Sequence, residues 1–343
     1  MLRYATYLEK PHHEQFSLGA DPRGLSSVLL SCWFVVTDAQ GTTYNMMRGI
    51  QAEDMRSSLN FGSYRGTDEF DRNAPAVVPF REHPVVERFL TRSGPESITY
   101  EGKGFRLELG DRTADWTEAG GRIRITTELL GDVSSLYVPE QDLSPHPFVF
   151  RSYFAKATGT IDGEPVEGLW QMDTIFSRPG LNLREAGWVD HVYQYWLNWL
   201  VEYEDGTLEG GHVFRGMPGT DFTPAHHFVD GRSTVRHDAT MTFHRTDRGS
   251  IDAITLSLGD DLTVEFAQRG SFDWPAHTYG EVASTTRGKT VARSWNYMET
   301  FAVNWGDIEA LGLAHQKVHG RFPSLQKLLE GAVVRDEHIV WPG

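Results

Sequence analysis

Apolar and polar residues alternate with a period of two in segment after segment of this chain. Phe105, Leu107 and Leu109 alternate with Arg106 and Glu108, and Ile123 and Ile125 with Arg122 and Arg124. Met241 and Phe243 alternate with Thr240, Thr242 and His244. Within 253–266, Ile254, Leu256 and Leu258 form one set and Leu262, Val264 and Phe266 another, with Gly259-Asp260-Asp261 between them. Successive side chains of a strand point to opposite faces, so each run predicts a strand with one face buried. Asp-Gly pairs at Asp162-Gly163, Asp205-Gly206 and Asp230-Gly231 lie between such runs. Both residue types tolerate positive φ, which predicts tight hairpins and antiparallel pairing.

Helical spacing is sparse. Val86, Phe89 and Leu90 after Pro84 suggest a helix over 83–91, and PSLQKLLEG over 323–331 has Pro near its start and Gly331 near its stop. The segment 176–188 is polar and loop-like, with Pro179, Gly180 and Gly187. Roughly eight strand candidates precede it and about as many follow. The expected fold class is therefore mainly all-β: two consecutive antiparallel β domains, barrels or sandwiches, with few short helices. They divide as 1–180 and 181–343. Sheets of that size avoid raw edges by closing or by packing face to face.

Composition narrows the function. The 343 residues are 39% hydrophobic and 23% charged, the balance of an ordinary folded protein. Net charge is −15, from 47 acidic against 32 basic residues, with no basic run to meet a phosphate backbone. Nucleic acid and anionic membrane surfaces are disfavoured as partners. No apolar stretch reaches the ~20 residues of a membrane-spanning helix, and MLRYATYLEKPHHEQ lacks a signal-peptide core. The lone Cys32 precludes an internal disulfide and reads as a buried structural thiol. A cytoplasmic setting fits, and a homo-oligomer is left open.

No GxGxxG, Walker or GxSxG motif occurs, so no cofactor is expected. Of fourteen histidines, His12-His13, His226-His227, His237, His244 and His277 invite a metal reading, but none forms HxH or HExxH. Zinc takes three or four convergent ligands, and no metal site is assigned. The densest chemistry lies in 168–214, which holds four Trp, three Tyr and two Phe together with Asp173 and Asp190 beside His191. Apolar surroundings raise a carboxyl pKa, and aromatic faces stabilise a nearby cation. Together they suit protonation of an alkene or a leaving hydroxyl.

Residues 155–215 resemble the hydroxyneurosporene synthase (carotenoid 1,2-hydratase) / AttH superfamily. That family has a Gly-containing hairpin, then G-x-G-x-x-D-H-x-W-G, then a Trp-rich strand ending in Asp-Gly. Here stand TGTIDGEPVEG, two candidate acid elements, and YWLNWLVEYEDG. In one register Gly168 leads to Asp173, with Thr174 in place of His and Phe176 in place of Trp. In the other Gly187 precedes Asp190-His191, with Tyr193 in place of Trp and Gln194 in place of Gly. The resemblance implies two lipocalin-like β domains and hydrophobic, often isoprenoid (terpenoid), substrates.

Three functions follow from residues and resemblance together. The first is a cofactor-independent enzyme, a lyase (hydratase or dehydratase) or a cyclase/isomerase, acting by acid–base chemistry on an unsaturated hydrophobic molecule. Asp173 or Asp190 would be the acid, and His191 or Tyr193 would place water or relay a proton. Trp170, Phe176, Tyr195, Trp196 and Trp199 would line the pocket. Trp196 and Trp199, three apart on a strand, should face opposite sides. The second is a non-catalytic carrier of a hydrophobic ligand, and the third a metal-dependent β-barrel enzyme.

Overall fold

The computed structural model describes residues 2–19, 23–52, 56–64, 86–182, 185–186, 193–245, 251–271, 277–300, 314, 318, 333–335 and 338–340. The second expected helix (323–331) lies outside them. The first sheet contains β1 (Ala5–Glu9), β2 (Ser26–Asp38), β3 (Thr43–Gln51), β4 (Arg56–Tyr64), β5 (Val86–Ser93) and β6 (Ser97–Gly102). It continues with β7 (Phe105–Gly110), β8 (Thr113–Glu118), β9 (Ile123–Leu129), β10 (Val133–Val138), β11 (Phe148–Ile161) and β12 (Glu164–Ser177). The second contains β13 (Tyr193–Tyr203), β14 (Leu208–Gly216), β15 (Ala225–Val229), β16 (Arg232–Arg236) and β17 (Ala239–Arg245). Its remaining strands are β18 (Ile251–Leu258), β19 (Leu262–Ser271), β20 (His277–Thr285) and β21 (Val291–Thr300). A separate hairpin joins β22 (Val333–Arg335) to β23 (His338–Val340). The protein is all-β, built on two curled antiparallel sheets.

The first sheet closes on itself through the long β11. One edge of β11 pairs with β12 along its whole length. The other edge pairs with β10 over Phe148–Ser152 and with β9 over Ala155–Ile161. Ten strands, β11-β12-β2-β3-β4-β5-β6-β7-β8-β9, thus form a ring, and β10 and β1 extend from it. The second sheet runs β16-β15-β14-β13-β21-β20-β19-β18-β17. Its two ends are tied by Arg236, which donates to Asp238, to Asp261 and to the Leu258 carbonyl. Two Asp-Gly turns take positive φ at both residues: Asp162-Gly163 (53° and 87°) and Asp230-Gly231 (46° and 77°). They join β11 to β12 and β15 to β16, as the right-handed strand twist favours.

One sequence expectation is corrected. Residues 86–93 are a strand, not a helix: β5 pairs with β6 from Phe89↔Gly102 to Ser93↔Ile98. Glu87 and Phe89 are buried while Arg88 and Leu90 are exposed, so the true period is two. Leu90 belongs to the outer face, and pairing with its neighbour decides the segment.

Among the described residues, the larger core clusters form three layers. Cys32, Phe34, Met46, Trp116, Tyr153, Trp170 and Met172 pack inside the first barrel. Leu197, Trp199, Val201, Leu256, Val264 and Phe266 pack inside the second sheet. Between the sheets lie Trp33, Val35, Phe150, Phe154, Leu169, Trp196, Leu200, Phe214, Phe228, Trp295 and Tyr297. Strands β2, β12 and β13 are buried on both faces, which is why VLLSCWFVV and YWLNWLV read as almost unbroken apolar runs. Each large side chain so buried contributes about 1.5–3 kcal/mol. Trp295 Nε1 donates to Thr37 Oγ1 across the sheets at 3.1 Å, and Lys156 pairs with Glu202 at 2.7 Å.

Candidate active site between the sheets

Asp173 lies on β12, directly between Ser152 of β11 and Ser31 of β2. Odd-numbered β12 residues before the bulge at Ile175/Phe176 face the second sheet, so Leu169, Gln171 and Asp173 share the inter-sheet face. Asp173 is buried. Ser152 Oγ donates to its Oδ1 at 2.6 Å and Gln171 Nε2 to the same oxygen at 2.9 Å. Trp33 Nε1 makes a long 3.4 Å contact to Oδ2. Burial outweighs these donors and pushes the carboxyl up to about 8, helped by the negative charge of Glu299. Burial therefore favours the neutral acid, and Oδ2 is the less engaged oxygen among its described contacts.

An aromatic cluster extends from Trp33, which contacts Asp173. Trp33 packs on Tyr297 (4.6 Å between centroids) and edge-on to Trp196 (5.7 Å). Trp196 meets Phe150 edge-on at 5.7 Å and stacks on Phe214 at 5.9 Å. Tyr297 Oη donates to Glu299 Oε1 at 3.3 Å, and Glu299 sits directly across from Trp196 on β13. The site thus combines a protonated carboxyl, a second carboxylate and electron-rich ring faces, which can give a proton and shelter a developing cation.

The residues singled out from sequence are dispersed. Trp196 stands in the inter-sheet cluster with Asp173, whereas Trp199 points into the second sheet and stacks on His227, as their odd spacing requires. Trp170 points into the first barrel. Phe176 packs with Leu25 and Val149. Tyr195 stacks on Phe243 at 4.2 Å inside the second sheet and accepts from Arg245 at 2.9 Å. The five aromatics therefore do not line one pocket; even and odd positions of β12 and β13 serve different cores. Asp190 and His191 lie outside the described residues, as does the side chain of Tyr193, whose backbone pairs with Gly216. Thr174 is buried on the face of β12 opposite to Asp173.

Sequence reasoning missed Trp33, Ser152, Gln171, Tyr297 and Glu299. They come from four strands spread over more than 260 positions, and no local pattern links them.

The inter-sheet layer also holds buried side-chain atoms with no hydrogen-bond partner among the described residues: Gln171 Oε1, Trp196 Nε1, both Asn198 amide atoms, His212 Nδ1 and both ring nitrogens of His226. Leaving such a group unpaired costs about 1–3 kcal/mol. By contrast, the buried Glu209 inside the second sheet is well supplied, by Tyr203, His227 and Arg287 at 2.6–2.9 Å. A groove of about 500 Å³ lined by His227, Val229, Asp230, Arg232 and Thr234 involves none of the Asp173 cluster. Among the described residues, His12, His13 and Asp111 offer three atoms within 4.8 Å that could hold a metal ion. Asp111 Oδ1 already meets both the backbone N–H and the ring of His13 at 2.7 Å, an arrangement sufficient in itself.

No helix among the described residues is long and apolar enough to cross a membrane. No family model and no curated protein matches the chain. Among solved structures it is similar to the Nitrosomonas europaea protein NE1406, described as a candidate AttH, with 13% identity, TM-score 0.41, and 79% of this chain and 92% of that one covered. It is also similar to kievitone hydratase from Nectria haematococca, with 9% identity, TM-score 0.43, and 87% and 99% covered. Neither likeness bears on the chemistry, which rests on the residues above.

Proposed function

We propose that the layer between the sheets is an active site for acid–base chemistry on a hydrophobic unsaturated molecule, with the β domains 1–180 and 181–343 as its walls. The reaction is a hydration, a dehydration or a cyclisation, and Asp173 is the general acid. The observation that carries this reading is a buried carboxyl, pushed up to about 8 by desolvation, at the edge of a cluster of aromatic rings. Protonating an alkene in water is slow because carboxyls are ionised there and the cation lacks support. A desolvated acid beside Trp33, Trp196 and Tyr297 meets both difficulties. Proton transfer from Oδ2 to a substrate carbon, or to a leaving hydroxyl, turns Asp173 into a carboxylate. Ser152 and Gln171 already donate to Oδ1 and stabilise that anion as it forms. Glu299, on the facing strand, is placed to take a proton from an attacking water or from the cation.

The test uses ligand extracted from purified protein. Asp173→Asn keeps the shape and removes the acid. Wild-type protein should yield product and Asp173→Asn the precursor, differing by the elements of water or, for a cyclisation, in retention at equal mass. The same molecule in both extracts, unchanged by either protein, would make the chain a carrier.

A further inference from the structure

Four residues of the second sheet stand in one cross-strand row facing the first barrel. Tyr297 of β21 pairs with Asn198 of β13, Asn198 with His212 of β14, and His212 with His226 of β15. Directly opposed side chains on a sheet face lie about 4.5–5.5 Å apart. The imidazole centroids of His212 and His226 are 5.6 Å apart. The row begins beside the acid site, because Tyr297 touches Trp33 and bonds to Glu299. It ends among the rings of Phe154, Phe214 and Phe228.

Asn198, His212 and His226 are at most 4% exposed. Both amide atoms of Asn198, Nδ1 of His212 and both ring nitrogens of His226 lack a hydrogen-bond partner among the described residues. Polar groups this deep in an apolar layer are usually paired, and here several unpaired ones line up in one direction from the acid. The burial that leaves them unpaired also holds both imidazoles neutral, His226 down to about 3. A neutral imidazole offers one N–H donor and one acceptor, and an amide offers both as well.

We propose that Asn198, His212 and His226 form a polar subsite for a neutral hydroxyl or carbonyl group on the same ligand whose reacting end meets Asp173. This rests on the ligand site proposed above. A hydroxyl both donates and accepts, matching what the row offers. An anion is disfavoured, since burial holds both imidazoles in their neutral form and leaves them no positive charge to pair with it. Strand spacing of about 4.8 Å puts His212 and His226 about 10 and 14 Å from Tyr297. The ligand is therefore an extended apolar molecule carrying an oxygen about that far from the end that lies beside Tyr297, not a plain hydrocarbon.

The matched probes are trans-stilbene, 4-hydroxystilbene and stilbene-4-carboxylate, which share one rigid skeleton. Binding to the full chain is followed by quenching of tryptophan fluorescence. The hydroxyl probe should bind at least tenfold tighter than stilbene, and the carboxylate more weakly than the hydroxyl probe. In His226→Phe and Asn198→Leu the preference should vanish while stilbene binding persists, which reports that the variants are folded. His226→Gln, which keeps a donor and an acceptor, should retain part of it and serves if His226→Phe does not fold. Asp173→Asn should keep the preference whole, so failure of the acid assignment leaves a separate signature. Equal binding of stilbene and 4-hydroxystilbene, no saturable binding of the hydroxyl probe, or a preference that survives His226→Phe and Asn198→Leu would overturn the subsite.

Discussion

Asp173→Asn should change how stability responds to pH, with a sign and window set by the folded carboxyl. In the unfolded chain an aspartate titrates near 3.8, and in the fold burial moves Asp173 up to about 8. Below pH 3.8 both states hold the proton and nothing is lost. Between 3.8 and 8 the unfolded chain releases it while the folded chain keeps it, so stability falls as pH rises. The slope is about 1.4 kcal/mol per pH unit, which over this window amounts to about 6 kcal/mol. Above 8 the folded group ionises and the slope ends. Asn has no such proton, and every other group is common to the two proteins. Urea unfolding at pH 5, 6, 7, 8 and 9 should therefore show wild type losing about 3 kcal/mol relative to Asp173→Asn between pH 5 and 7, and levelling off only above pH 8. A difference that stays flat from pH 5 to 9 would mean that Asp173 is already ionised, and the reasoning about the acid would fail.

Two other outcomes test the frame that holds the site. In the first barrel, Arg48 donates to both oxygens of Glu118 at 2.5 and 2.7 Å, and Trp116 Nε1 donates at 2.8 Å, all fully buried. Glu118→Gln sets an amide donor against the guanidinium and should cost about 3–5 kcal/mol, whereas Arg48→Met with Glu118→Leu should cost much less; calorimetry checks both. Cys32 is buried, its thiol pKa is raised by desolvation, and Sγ contacts the Arg48 carbonyl at 3.7 Å. It should resist a maleimide in native protein and react fully in urea, as mass spectrometry would count.

The strands were legible because their chemistry is local. The alternation in 105–110 and 123–129 reappears as buried and exposed faces of β7 and β9. The Asp-Gly pairs at 162–163 and 230–231 are the turns they promised to be. The segment 83–91 misled because Phe89 and Leu90 are both apolar, although one is buried and the other lies on the outer face. Asp173 could be singled out from its aromatic neighbourhood in sequence, yet the rings around it are mostly not those neighbours. Trp170 and Phe176 project from the opposite face of β12, and Trp33, Tyr297 and Glu299 arrive from distant strands. A dense aromatic segment says that a strand is buried on both faces; which face meets the acid is settled only when the sheets pack.

The chemistry itself is tested most directly by a rate. Ligand recovered from Asp173→Asn protein is returned to fresh wild-type and Asp173→Asn protein, and its conversion is followed by mass spectrometry from pH 5 to 10. Wild type should convert it with a rate that is level at low pH and falls as the acid ionises at about 8. Asp173→Asn should be slower by about 10²–10⁴. Conversion by the variant at the wild-type rate, or no conversion by wild type at any pH, would contradict the account.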